Sequence, residues 1–322
     1  MKSQFSNFFM FLFFVLSIFL FSGCGDDTEI LPDGPSMEVE PLPTADDTNL
    51  ITVEAGETVE FGVGVTAPGT FNVLRMNVSI DGVMDNTLSE EIIRTTDGQT
   101  TLSETFSITT GAAWVGSDIE VEFEAVDDNN KTIVDVYDIE VTSPTARIYT
   151  EVLLNSPTGS KTSETFYSTS DGQRYTVNEV NTGAAGLSGS IDFGYYYGAN
   201  ALASLASPSD YPALIYDLSA EGWNSLNTSN FKSASITDET YNAVSTYADL
   251  DDIYAIATEV GATVTGLEAG DYIAFETDTD KAGGSKKGLI KVLEIVDGNS
   301  DGKFDGSVDG IKIEIIVQEP AS

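Results

Sequence analysis

The chain has 322 residues, with 52 Asp and Glu against 14 Lys and Arg, one Cys and no His, for a formal charge of −38. The lack of His excludes triads with an imidazole base and the common zinc sites, and a single Cys excludes an internal disulfide. So acidic a surface repels polyanions, so nucleic acid is not an expected partner, while cations and neutral ligands stay compatible. At roughly 150 residues per domain the length points to two domains, each able to bury its own core.

Residues 1–23 read as a signal peptide. Lys2 supplies the positive start, and Phe8–Phe21 is an apolar run of 14 residues. That run is short for a membrane helix and right for a signal core. Phe21-Ser22-Gly23-Cys24 resembles the lipobox of bacterial lipoproteins, with Phe21 where Leu is usual. The resemblance implies that Cys24 becomes the lipidated first residue, and two or more acyl chains there give stable membrane anchoring. Gly25-Asp26-Asp27 resembles the surface-export signal of Bacteroidota lipoproteins, which implies an outer-membrane, outward-facing address. Residues 24–49, with Pro32, Pro35, Pro41 and Pro43, read as a flexible acidic tether.

Residues 50–143 alternate with period two, the mark of sheets with one wet face. Val59, Phe61, Val63 and Val65 form one such run, and Leu74, Met76, Val78 and Ile80 another. Ile119, Val121, Phe123 and Ala125 alternate with Glu120, Glu122 and Glu124, and Tyr137, Ile139 and Val141 end the block. Turn clusters such as Asp81-Gly82 and Asp97-Gly98 separate the runs. About seven short strands without a helix predict an immunoglobulin-like β-sandwich. The pattern resembles the Ig-like modules near the start of Bacteroidota lipoproteins.

Ser143-Pro144-Thr145 reads as a hinge into a second module, 146–322. Strand-like runs lie at Arg147–Leu154, Glu164–Tyr167, Tyr175–Val180 and Ile191–Tyr197, and again at Gly288–Val296 and Ile311–Val317. Leu289–Val296 is apolar on both parities and predicts a central strand. Helical spacing over about 238–260 starts at Thr237-Asp238-Glu239, with Ile253, Ile256, Ala257 and Val260 expected to face the core. The fold class is therefore mainly β: an Ig-like sandwich, then a second β-rich module carrying one or two helices. Glu164-Thr165-Phe166-Tyr167, Asp171-Gly172, Ile191–Tyr197, Ala203–Pro208 and Gly288–Val292 resemble a C-terminal module recurring in Bacteroidota surface lipoproteins. That resemblance implies architecture and location and no activity.

Two constellations stand out as sites. Asp297, Asn299, Asp301, Lys303 and Asp305, with Gly302 between, follow the start of an EF-hand-type calcium loop, in which alternate oxygens and the carbonyl of Lys303 surround one ion. The closing acid is displaced: Val308 holds its place and Asp309 comes one residue late. The alternative is a solvated acidic turn between two strands. Tyr195, Tyr197, Tyr211 and Trp223 are candidates for an aromatic platform that stacks on sugar rings, against packing in a β-module. Lys281, Lys286, Lys287 and Lys291 read as charges that solubilise a hairpin, since no phosphate-loop motif surrounds them.

Ser229-Asn230-Phe231-Lys232 fits S-x-x-K, but Lys161-Thr162-Ser163 precedes it instead of following, so β-lactam chemistry is rejected. The expectation is a non-enzymatic, outer-membrane-anchored lipoprotein whose C-terminal module binds an extracellular ligand such as a polysaccharide, with calcium as the one cofactor considered. This layout resembles the accessory lipoproteins of Bacteroidota glycan-uptake systems. The alternatives are a structural or adhesive protein with surface-protein partners and, third, a carboxylate-based glycoside hydrolase.

Overall fold

The computed structural model describes residues 33–184, 186–281, 284–304 and 308–319. Cys24 and the signal segment lie outside them.

The first module holds β1 (Ser36–Leu42), β2 (Leu50–Glu54), β3 (Thr58–Thr66), β4 (Phe71–Ile80), β5 (Val83–Met84), β6 (Glu90–Ile93), β7 (Thr101–Thr109), β8 (Ile119–Asp127) and β9 (Thr132–Thr142). One sheet has the order β1-β3-β7. The other runs β2-β9-β8-β4, with β5 and β6 both pairing β4. Strand alternation sends Val59, Phe61, Val63 and Val65 inward from the first sheet. They meet Leu74, Met76, Val78, Ile119, Val121 and Phe123 of the second. Phe123 is the hub, 5.1 Å from Phe61 and 5.6 Å from Phe106 between ring centroids. Strand β2 pairs β9 in parallel, and every other pairing in this module is antiparallel.

The tether expected over 24–49 is corrected in one place. Ser36–Leu42 is an edge strand antiparallel to β3, because Met37 and Val39 alternate with Glu38 and Glu40 and pack on the core. Pro41 is tolerated there because an edge strand leaves one row of amides unpaired.

The second module holds β10 (Arg147–Asn155), β11 (Phe166–Ser168), β12 (Gln173–Tyr175), α1 (Val177–Thr182), β13 (Phe193–Gly198), β14 (Leu202–Ala206) and β15 (Asn230–Ser233). It continues with α2 (Asp238–Ala243), α3 (Tyr247–Ile256), β16 (Thr258–Gly261), β17 (Thr263–Thr265), β18 (Tyr272–Glu276), β19 (Lys287–Val296) and β20 (Gly310–Val317). A six-stranded sheet, β10-β20-β19-β18-β15-β16, faces a five-stranded one, β12-β11-β13-β14-β17. Ile311, Ile313, Ile315, Ile290, Phe231 and Phe275 meet Tyr167, Phe193, Tyr195 and Leu205 between them. Strand β19 is central, as its two apolar faces require.

Both outer faces are covered as well. Tyr241 and Val244, at α2, and Leu250 and Ile253 of α3 pack on Ala274, Leu289 and Ile316 of the six-stranded sheet. Val177 and Val180 of α1, with Tyr211, Tyr216, Leu218 and Trp223, pack on Phe166, Tyr196 and Ala206 of the five-stranded sheet. The module is thus four layers deep.

Two elements depart from expectation for local reasons. Tyr175–Val180 is mostly helix, because Thr176 and Glu179 form a reciprocal capping box that starts α1. The helix expected to about residue 260 is two helices ending at Ile256. Thr246 caps α3, with Asp249 closing the box. Thr258–Gly261 turns into strand β16, leaving Ile256 79% exposed and Val260 45% exposed instead of in the core. The Ser143-Pro144-Thr145 link is fastened to the start of α3: Tyr247 N donates to Pro144 O at 2.9 Å and Ala248 N to Ser143 Oγ at 3.1 Å. These bonds satisfy amides that a helix start leaves open.

Candidate functional site

The aromatic candidates do not form one platform. Strand alternation puts Tyr195 and Tyr197 on one face of β13. Tyr195 is fully buried between the two sheets, and half-buried Tyr197 stacks on Phe304 at 4.7 Å. Tyr211 and Trp223 lie beyond the opposite face, buried against Phe166 at 4.9 and 4.8 Å. Tyr211 donates its hydroxyl to the carbonyl of Tyr195 at 2.8 Å. Desolvation raises the pKa of Tyr195 and Tyr211 far above the ordinary tyrosine value, so both stay neutral. The rings hold the five-stranded sheet and its cover together.

The acidic loop joins β19 to β20. Asp297 Oδ2 accepts from Gly302 N at 2.8 Å and its Oδ1 from Asp301 N at 3.2 Å. Asn299 Oδ1 also accepts from Asp301 N, at 3.1 Å, and Asp301 Oδ1 accepts from Lys303 N at 2.8 Å. The described oxygens are thus turned onto the loop's own amides. Asp309 is buried and accepts from Gly298 N at 3.0 Å, closing the loop's base. Only glycine fits at 298, because a Cβ there would stand 2.2 Å from the carbonyl oxygen of Val308. Asp305 lies outside the described residues, and among those described no group of three or more His, Cys, Asp or Glu is placed to hold a metal ion.

A different site emerges at one end of the second module. Lys281 follows β18 and is buried, contrary to its reading as a solvated hairpin charge. Its Nζ donates to Asp192 Oδ1 and Oδ2, each at 2.8 Å, and to Thr169 Oγ1 at 3.1 Å. Asp192, fully buried just before β13, also accepts from Thr169 N at 2.7 Å and Thr169 Oγ1 at 2.8 Å through Oδ2. Ser229 Oγ donates to the Asp192 carbonyl at 2.8 Å. Every polar atom of the pair therefore has a partner, the condition on which a buried charge pair is tolerated. The Asp192 pKa is raised, because desolvation outweighs the opposing pull of Lys281 and Thr169. The pair ties the end of β11 and the start of β13, in one sheet, to the turn after β18 in the other. The basic residues around it pair on the surface, Lys287 with Asp251 at 2.7 Å and Lys291 with Asp238 at 2.5 Å.

Outside Lys281 opens a cleft of about 570 Å³ lined by Ser170, Ser190, Ser225, Asn227, Asp278 and Asp280, with Leu226 its main apolar contact. Its parts are braced by hydrogen bonds. Asn227 Nδ2 donates to the carbonyls of Gly189 and Ile191 at 2.8 and 2.9 Å, and Asp278 Oδ2 accepts from Thr228 N at 2.6 Å. Chemically this is a rigid wall of hydroxyls, one amide and two carboxylates, with lone pairs left over to accept from a ligand. Sequence reading misses it because four distant segments build it, and Ser, Asn and Asp are ordinary loop residues. The one available signal was Lys281 itself, a lysine set among Asp278, Thr279 and Asp280.

No protein-family model matches the chain, and no curated protein matches it. Among solved structures it is similar to a DUF4466 family protein from Parabacteroides merdae, with 14% identity and a TM-score of 0.37, over 89% of this chain and 99% of that one. It is also similar to Spo0M, a sporulation control protein from Bacillus subtilis, with 9% identity and a TM-score of 0.22, over 84% of this chain and 88% of that one.

Proposed function

We propose that this chain is a lipid-anchored surface protein whose Ig-like first module spaces the second from the membrane, and whose second module binds a neutral, polyhydroxylated ligand such as a polysaccharide. The anchor rests on the Cys24 motif and the acidic residues behind it. The observation that carries the ligand class is the cleft of Ser170, Ser190, Ser225, Asn227, Asp278 and Asp280. Sugar hydroxyls donate well to carboxylates and exchange hydrogen bonds with serine and amide groups, and a braced wall loses little order on binding. The acidic charge of the chain disfavours polyanionic glycans.

Affinity electrophoresis of the chain against a panel of neutral polysaccharides tests this. One glycan should retard it, and Asp280→Ala, at an exposed position on the cleft wall, should weaken the retardation. No retardation by any glycan, with the protein folded, overturns the reading in favour of a structural or adhesive role. Running the same gels with calcium and with chelator asks whether the Asp297–Asp309 loop contributes, since a loop ligand set would make retention calcium-dependent.

A further inference from the structure

We propose that Lys281 and Asp192 are joined by an intramolecular amide, formed by the folded protein without an external enzyme. This modification is independent of what the cleft binds.

The pair has what such a condensation requires. Both side chains are sequestered: Asp192 is fully buried and the Lys281 side chain is 3% exposed. Nζ lies 2.8 Å from each carboxylate oxygen. Equal distances of that size put Nζ about 3 Å from Cγ, inside the roughly 3–3.5 Å range of a near-attack pair. Desolvation raises the Asp192 pKa, so burial favours a carboxyl that has taken up a proton. Thr169 is placed to move a proton from the amine. Its hydroxyl accepts from Nζ at 3.1 Å and donates to Asp192 Oδ2 at 2.8 Å. Its backbone amide donates to the same oxygen at 2.7 Å, so Oδ2 is the oxygen held to take the relayed proton and leave.

The step balances without any co-reactant. The Nζ lone pair attacks Cγ after the carboxyl has turned its face about χ2, a broad torsion. The Nζ–Cγ bond forms, negative charge collects on Oδ1, and the Cγ–Oδ2 bond then breaks. Oδ2 leaves as water, carrying the carboxyl proton and one proton from the amine that the Thr169 hydroxyl relays to it. Nothing is oxidised or reduced. The polar cleft that Lys281 lines is the exit for that water. Loss of both charges relieves a buried pair of its desolvation penalty, which drives the reaction toward the amide in a site that liquid water does not fill.

The location suits the product. Asp192 leads into β13 of the five-stranded sheet, and Lys281 leaves β18 of the six-stranded sheet, so the amide would staple the two sheets in a chain with only one cysteine.

The test is a digest of the full chain, denatured and cleaved with trypsin, read by mass spectrometry. Arg174, Lys232, Lys281 and Lys286 define the fragments. An amide blocks cleavage at Lys281, so segments 175–232 and 233–286 should appear as one branched species lighter than their sum by one water, with fragmentation placing the branch at Asp192 and Lys281. Free 175–232 together with free 233–281 would overturn the proposal and leave an ion pair only. Lys281→Arg should release 175–232 as an unbranched peptide. If that variant does not fold, the digest of the unaltered chain still decides. Thr169→Val, which keeps the backbone amide and removes the relay, should slow branching after refolding about 10²-fold; an unchanged rate would remove Thr169 from the mechanism.

Discussion

The two modules solve the same problem in different ways. In the first, each sheet has one dry face, one aliphatic and aromatic core lies between them, and the charged residues, apart from Asp127 at the end of β8, stay outside. Glu120, Glu122 and Glu124 on β8 need no partner but water and a few surface contacts. In the second, both faces of both sheets are covered, and three cores share one module. The consequence is a buried polar inventory. Asp192, Lys281, Thr169, Ser229 and Asn227 are all buried there. Segments of both sheets meeting at one end turn ordinary loop residues into a dry, braced site.

Substitutions can sharpen that contrast. The largest effects fall on one residue in each module. Phe123→Ala should lose about 3–5 kcal/mol by leaving a cavity among Phe61, Phe106 and Tyr137. Asp192→Ala should lose about 3–5 kcal/mol by leaving Lys281 buried without a counter-charge. Denaturant unfolding measures both, and a second change tells them apart. Adding Lys281→Met to Asp192→Ala should recover part of the loss, because it removes the stranded charge. If nothing is recovered, charge burial is not what separates the modules.

A mid-sized effect belongs to the cover of the second module. Asp249 is slightly buried, which raises its pKa, but amides of Ser245 and Thr246 and their hydroxyls outweigh that and hold it below the usual carboxylate value. The folded value is depressed, so its contribution is complete above the unfolded pKa and fades as pH falls through the folded one. Asp249→Ala should therefore lose about 1 kcal/mol at neutral pH. The difference between variant and parent should close in acid, read as thermal midpoints across pH. The smallest effect lies on the open face of the first module. Arg75 bridges Glu91 and Glu124 at 2.7 Å each, at the surface. Glu91→Gln should change stability by less than about 1 kcal/mol, and by less still in high salt. A larger loss there would mean that the open face is as demanding as the covered ones.

Much of the architecture was legible along the chain. Period-two alternation in Val59–Val65 and Ile119–Ala125 required strands with one buried face, whatever else the protein did. The double apolar parity of Leu289–Val296 required a central strand. Capping chemistry was legible only in part. Thr237 is legible as a start, while the Thr176–Glu179 box is masked by the strand-like run Tyr175–Val180, and the Thr246–Asp249 box by helical spacing that continues across it. Met37 and Val39 were hidden by the prolines around them.

What the residues alone determined is the one-dimensional physics: acidic solvation, the absence of His chemistry, and the periodicities that put side chains on faces. What only the tertiary structure decided is which faces are covered. Tyr195, Tyr211 and Trp223 look like a recognition surface in one dimension and are packed rings in three, because the six-stranded sheet covers Tyr195 and the segment carrying Tyr211 and Trp223 closes over the opposite face. Lys281 looks like a solvated charge and is a buried one, because residues 112 and 89 positions away, Thr169 and Asp192, come to meet it. Burial is a property of what packs from elsewhere, and a charge acquires its chemistry from burial.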